Sequence, residues 1–261
     1  MWIRLRQIAI VAVDLHPVSI DLGEVLGLEP CYTDPAVARF GLKNMLWPVG
    51  SQFIEVVTPI AEGTAAGRYL DRRDGDGGYM VINQVDDIGP RRQRAAELGV
   101  RIAFDLHFPD AGHDGFQLHP ADTGGSLFEM DQMLETGSTN TTDESDAWYP
   151  AGTNWSPYVR TNNVSAITAA ELQSPDPERL ARRWSEIAEL ELHTDKRGRL
   201  AMSLQNAEIR FVEALDGRGE GLGAIDLATT NRAAVVRTAA ARGILTADNE
   251  VLIAGLRVNL Q

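Results

Sequence analysis

Two glutamates sit inside apolar, strand-like runs, where an unpaired carboxylate is costly to bury. Glu55 lies in Phe53-Ile54-Glu55-Val56-Val57 and Glu129 in Leu127-Phe128-Glu129-Met130. Each follows the first residue of an earlier apolar run by nearly the same interval. Gln7 opens the run Gln7–Leu15 ahead of Glu55, and Met80 opens Met80–Ile88 ahead of Glu129. The interval from Gln7 to Met80 is also the interval from Asp14 to Asp87. Matched carboxylates of this kind suit metal binding or proton transfer in a cleft. The bland alternatives are an edge-strand amide for Gln7 and exposed strand carboxylates for Glu55 and Glu129; the apolar flanks and the matched spacing favour a cleft. His107 and His119 flank the turn Phe108–Gly115 on consecutive strands and could reach one cleft, as general acid–base groups or as ligands. His113, at the tip of that turn, is expected in solvent, and His16, before Pro17, is expected to be structural.

These residues need strands and helices to position them. The first copy reads as a strand over Leu5–Val13, a short helix within Val18–Leu26, and strands at Arg39–Leu46 and Gln52–Thr58. After a connector over Asp71–Gly78, the second reads as a strand at Tyr79–Val85, a helix at Pro90–Leu98, and strands at Arg101–His107, Gly115–His119 and Ser126–Asp131. Pro90 near the helix start and Gly99 past its end are the expected asymmetry. Residues 132–147 are rich in Thr, Ser, Asp and Glu and read as a mobile connector; Trp148, Tyr149 and Trp155 mark 148–160 as an aromatic strap. The order then recurs: strand Ser165–Leu172, helix Asp176–Leu190, strands Leu200–Leu204 and Ala207–Ala214, strand Ala224–Ala228, helix Asn231–Arg242, and final strands around Ile244 and Val251–Asn259. The loop Asp216–Gly221 carries a G-x-G-x-G pattern but precedes a strand, so a phosphate-binding reading fails on context. The acidic turn Asp71–Gly78 lacks the spacing of a calcium loop. A repeat at this period is one supersecondary unit paired with its copy. The expected architecture is α+β: four β-α-β-β-β modules in two pairs, forming curved mixed sheets with helices outside. The expected divisions are 1–132, a module pair with the cleft; 133–160, connector and strap; and 161–261, a second module pair.

With 44% hydrophobic and 23% charged residues, the 261-residue chain has the composition of a soluble globular protein. Its net charge of −13 argues against nucleic acid or an anionic membrane as partner. The lone Cys31 permits no internal disulfide and no cysteine zinc site, and reads as a bland, semi-buried thiol. The first strand lacks the features of a signal peptide and no run approaches a membrane span, so a cytoplasmic protein is expected. The glycosylation sequons at Asn140 and Asn163 carry little meaning without a secretion signal.

The paired modules carrying Gln7, Asp14, Glu55, Asp87 and Glu129 resemble the vicinal oxygen chelate superfamily. That superfamily includes glyoxalase I, methylmalonyl-CoA epimerase, extradiol dioxygenases, fosfomycin-resistance enzymes and bleomycin-binding proteins. The resemblance covers residues 5–132 well and is carried by Val13-Asp14-Leu15 and by the stretch from Leu118 to Glu129; over 163–261 it rests on element order. It implies a cleft between two modules, with a metal held by first- and last-strand residues. Carried over, those positions are Gln7, Glu55, Met80 and Glu129. Met80 departs from the usual histidine, and a thioether suits hard divalent ions poorly. Three oxygen ligands, Gln7, Glu55 and Glu129, could still hold Mn, Mg, Ni or Zn; the missing imidazole counts against an extradiol dioxygenase. In the second half Ala169, Ala224 and Phe211 fall at the corresponding positions and cannot bind a metal.

The resemblance implies two functions. One is a metal-dependent isomerase, epimerase or lyase acting on a small oxygen-rich substrate, with Glu129 (or Glu55) moving a proton and His119 and His107 as further acid–base candidates. The other is a metal-free small-molecule binding or sequestration protein of the bleomycin-resistance type. The expected partner is a small-molecule ligand or substrate, and a homodimer is compatible with either function.

Overall fold

The computed structural model describes residues 1–134 and 147–261. Most of the expected 132–147 connector, with the Asn140 sequon, lies outside the described residues. The chain is a mixed α+β protein. In order it forms β1 (Ile3–Val11), α1 (Leu15–Glu24), β2 (Leu42–Val49), β3 (Gln52–Pro59), α2 (Ala65–Arg73), β4 (Gly77–Val85), α3 (Ile88–Glu97), β5 (Ile102–Asp105), β6 (His113–Leu118), α4 (Pro120–Thr123) and β7 (Leu127–Met133). Then follow β8 (Val164–Ser174), α5 (Pro177–Ala188), β9 (Leu192–Thr194), β10 (Leu200–Ser203), β11 (Glu208–Glu213), β12 (Gly221–Thr229), α6 (Arg232–Arg242), β13 (Leu245–Ala247), β14 (Glu250–Ile253) and β15 (Leu256–Leu260). Among the described residues no helix is long and apolar enough to cross a membrane.

Two compact units share the chain. One comprises Met1–Gln7, Tyr79–Tyr149 and Ala169–Leu222; the other comprises Ile8–Gly78, Pro150–Thr168 and Gly223–Gln261. In the first unit β4 pairs in parallel with β7, which pairs antiparallel with β6, and β6 with β5. The same unit holds the parallel pair β8–β11, extended antiparallel by β10 and β9. In the second unit β2 and β3 form an antiparallel hairpin. There too β12 pairs in parallel with β15, followed by β14 and β13.

Local chemistry explains the helices. The carboxylates of Asp14 and Asp87 each accept a backbone N–H at a helix start, from His16 and Gly89 respectively, which satisfies a donor the helix cannot. The matched interval between these two aspartates therefore marks capping and not catalysis. Asp176 caps α5 in the same way, with Pro177 in its first turn. Helix α5 buries Leu180, Ala181, Trp184, Ile187 and Ala188, the helical spacing of a core face. Trp184 stacks on Phe128 of β7 with centroids 4.3 Å apart. Arg91 and Arg94 of α3 donate to the carbonyls of Ala188 and Glu186 at the end of α5, where cations favour the helix dipole.

Strand alternation then sorts β6 and β7 into two faces. Phe116, Leu118, Phe128 and Met130 are buried on one. The other carries His113, Gly115 and Gln117 from β6 with Glu129 and Asp131 from β7, because Gln117 pairs with Glu129 and Gly115 with Asp131. Across β7, Met80, Ile82 and Gln84 of β4 pair with Leu127, Glu129 and Asp131, so Met80 and Glu129 share a face.

Candidate functional site

That second face is polar and yet withdrawn from water. Glu129, Asp131 and His113 are 6%, 2% and 1% exposed. Glu129 and Asp131 alternate with Met130 on β7, so their side chains project together, and they are hydrogen-bonded to each other. Burial, and then the neighbouring Asp131 carboxyl, push Glu129 well above the usual carboxylate range, against the opposing pull of a hydrogen bond from Gln117. Burial raises Asp131 to about 7, with the hydrogen bond from Glu129 holding it below where burial alone would take it. Two hydrogen-bonded carboxyls in a dry site share a proton.

His113 completes the cluster. Its Nδ1 lies 3.0 Å from the Leu106 carbonyl oxygen. A carbonyl can only accept, so Nδ1 carries the hydrogen. Its Nε2 lies 3.1 Å from Asp131 Oδ1. Burial lowers the pKa of His113, which leaves Nε2 as an acceptor facing Asp131, and the contact is favourable when Asp131 holds a proton. The ring of Tyr149 stacks on His113 at 4.4 Å, and Phe108 stacks on Tyr149 at 5.4 Å. Asp131 needs the space left by Gly115, since a Cβ there would collide with Asp131 Oδ1 and stand 3.0 Å from its Cγ. The cluster reads, in order, Gln117, Glu129, Asp131, His113 and the Leu106 carbonyl. It can hold, give up or accept a proton near neutral pH.

The expected residues are distributed as follows. Gln7, Met80 and Glu129 belong to the first unit, and Glu55 to the second. Gln7 Oε1 accepts the Trp148 indole N–H at 2.7 Å, and Glu55 Oε1 accepts from Asn44 Nδ2 at 2.6 Å. His119 is half-buried and caps α4, its Nδ1 accepting from the Ala121 N–H at 3.2 Å. His107 is exposed, with Nδ1 3.3 Å from Asp114 Oδ2. The expectation that His113 is solvated is corrected: β6 begins at His113, and the ring turns inward beneath Tyr149. Cys31 is half-buried and bland, its thiol pushed up to about 11 by burial.

Among the described residues, no group of three or more His, Cys, Asp or Glu side chains is placed to hold a metal ion. Of the expected donors in the first unit, Gln7 Oε1 accepts from Trp148 and keeps a second lone pair, while Met80 offers a thioether, a poor donor for a hard divalent ion.

Comparison with known proteins agrees with this fold. The chain is similar to the ethylmalonyl-CoA/methylmalonyl-CoA epimerase of Cereibacter sphaeroides, 27% identical over 133 residues, which cover 50% of this chain and 98% of that protein. Among solved structures, a Mn(II)-bound glyoxalase from Novosphingobium aromaticivorans superposes with a TM-score of 0.63 at 13% identity, covering 98% of this chain and 80% of that one. A hypothetical protein from Staphylococcus aureus gives a TM-score of 0.67 at 12% identity, covering 100% and 99% of the two chains. The profile of the glyoxalase-like domain family matches residues 8–188, most of the chain, and the protein belongs to that family within the vicinal oxygen chelate superfamily.

Proposed function

We infer that the protein is an enzyme of the isomerase or epimerase type, which moves a proton at a carbon next to a carbonyl of a small oxygen-rich substrate. The observation that carries this reading is the buried, hydrogen-bonded pair Glu129–Asp131 with His113 against it. Near neutral pH the pair holds one proton that passes between its members: with that proton on Asp131, Glu129 is ionised and accepts the proton from carbon, and once protonated it returns one. Glu129 is the group we assign to that exchange. Asp131 holds Glu129 by a hydrogen bond, and His113 holds Asp131. The likeness to an epimerase over half the chain supports the same reaction class. The arrangement of donors gives no support for routing a step through a metal.

The experiment is proton exchange in deuterium oxide. Methylmalonyl-CoA or ethylmalonyl-CoA, named for the relative, is incubated with the protein, and deuterium at the carbon between the two carbonyls is followed by mass spectrometry. Catalysed incorporation that is lost in Glu129→Gln supports the reading; incorporation that survives Glu129→Gln overturns the assignment. The Trp148–Tyr149 strap favours a second reading, a small-molecule binding protein, because aromatic surfaces suit flat ligands. Saturable binding without any exchange would favour it.

A further inference from the structure

The sheet that carries the acid pair sets four side chains in one row. Phe104 of β5 is the register partner of Gln117 of β6, Gln117 that of Glu129 of β7, and Glu129 that of Ile82 of β4. Register partners share a face, and neighbouring strands lie about 4.8 Å apart. Exposure falls along this row. Phe104 and Gln117 are half-buried, as is Leu127, which precedes Glu129 on its face of β7. Glu129 is 6% exposed and Ile82 4%. Solvent therefore reaches Glu129 from the side of Gln117, and a substrate has to come the same way. Gln117 is the neutral polar group on that approach. Its amide donates to the Glu129 carboxyl, and an amide nitrogen carries two hydrogens, so a second N–H remains for another acceptor. On the far side of Glu129, Ile82 and Met80 make an apolar, buried end.

We propose that Gln117 binds the carbonyl oxygen of the substrate and that the row fixes the direction in which the substrate lies. The reacting carbon stands over Glu129, its own substituent points toward Ile82 and Met80, and the group on the carbonyl carbon leaves past Phe104. This deepens the proton-transfer reading above and rests on it. The distances agree. Directly opposite residues have Cβ atoms about 5 Å apart, and by standard bond lengths a carbonyl oxygen lies about 2.4 Å from the carbon next to it, so one substrate meets both side chains at once. In the step, the C–H bond breaks, the proton goes to Glu129, and the electron pair moves by way of the carbon–carbon bond onto the carbonyl oxygen. Negative charge grows on the atom to which the Gln117 N–H donates, in a site withdrawn from water, where such a donor counts most. The buried end admits a small alkyl substituent and the half-buried end a larger group. The substrate class is then a carbonyl compound with a small alkyl group on the reacting carbon and a bulkier group on the carbonyl.

The test uses the full chain and methylmalonyl-CoA with carbon-13 in its thioester carbonyl, bound to Glu129→Gln so that it is not turned over. The carbonyl stretch is read by difference infrared spectroscopy. It is expected at lower wavenumber on the protein than in solution, and back at the solution value when Gln117→Met is added. In the otherwise wild-type chain, Gln117→Met is expected to lower kcat for deuterium incorporation about a hundredfold, while KM changes much less. A stretch that does not move on binding, or moves equally with and without Gln117→Met, overturns the proposal even where exchange occurs. A shift that depends on Gln117, in a protein that catalyses no exchange, overturns the proton-transfer reading and leaves Gln117 as the residue that binds the carbonyl. A protein that does not bind the thioester overturns the substrate class and this role together. Met80→Ala is expected to speed exchange of ethylmalonyl-CoA relative to methylmalonyl-CoA, and an unchanged ratio overturns the placing of the substituent. If Gln117→Met does not fold, Gln117→Glu, which keeps the length of the side chain and has no N–H, takes its place in both measurements.

Discussion

The replacement Asp131→Asn should make the protein more stable in neutral solution, with a pH dependence that identifies the cause. In the folded state Asp131 is raised from 3.8 to about 7, chiefly by burial. Below about pH 4 both folded and unfolded chains hold this proton, and Asp131 costs nothing. As pH rises toward about 7 the unfolded chain has released the proton while the folded chain keeps it, so stability falls; above about 7 both have released it and the loss is complete. At about 1.4 kcal/mol for each pH unit, the rise from 3.8 to about 7 corresponds to about 4 kcal/mol. Asparagine has the same shape and cannot ionise. Its Nδ2, in the place of Oδ1, would donate to His113 Nε2, now 3.1 Å from Asp131 Oδ1, and its oxygen would accept from Glu129. The volume above Gly115 stays filled as before. Urea denaturation of both proteins from about pH 4 to about pH 8 reads the difference between them, in which the acids remote from Asp131 cancel, while Glu129, which Asp131 raises, does not. The variant is expected to match wild type near pH 4 and to exceed it by a few kcal/mol near pH 8. A variant no more stable than wild type at pH 8, or a difference that does not change with pH, would refute the assignment of the proton to Asp131.

Much of the fold is legible in the sequence because its signals are local. Asp176 opens the expected helix Asp176–Leu190 and does cap α5; Asp14 and Asp87 carry the same local signal, and each caps a helix that starts earlier than the expected Val18–Leu26 and Pro90–Leu98. The alternation of Phe128 and Met130 with Glu129 announces a two-faced strand. Helix α2 is hidden in the lead-in to the acidic connector, although Thr64 caps it by accepting from the Gly67 N–H; its apolar residues are too few to outweigh the run of Asp and Arg that follows. The site is legible only in part. Glu129 stands out by its apolar flanks, and Asp131, the next residue on that face of the strand, has to accompany it. The spacing Glu-x-Asp is the signal that finds the pair. His113 is not legible, because Gly115 extends the apparent turn around it. A glycine there looks like a turn residue, yet it sits within β6 to admit the Asp131 carboxyl. Nor does the repeat interval say which copy shares a compact unit with which segment. That depends on packing between residues far apart in sequence, such as Trp184 on Phe128.

Trp148→Ala removes a side chain that is 1% exposed and should cost about 3–5 kcal/mol in urea denaturation. Arg101→Ala breaks an exposed pair, Arg101 Nη2 to Asp122 Oδ1 at 2.7 Å, and should leave the urea midpoint where it is, because solvent screens such a pair. Met80→His places an imidazole on the face of Glu129 and should tighten manganese binding, read by calorimetry; equal affinity in both proteins would count against a metal position there. Gly115→Ala should be the most damaging of the small changes. The added methyl would collide with Asp131 Oδ1 and stand 3.0 Å from the Met130 carbonyl oxygen. Neither β6 nor β7 can shift easily, because Gly115 and Asp131 are register partners in the ladder that joins them. Overpacking of this kind costs about 1–3 kcal/mol. Its main obstacle is the carboxyl itself, so Gly115→Ala combined with Asp131→Ala should be less destabilised than the two single changes added together. Additive losses would mean that Gly115 serves the backbone of β6 and does not make room for Asp131.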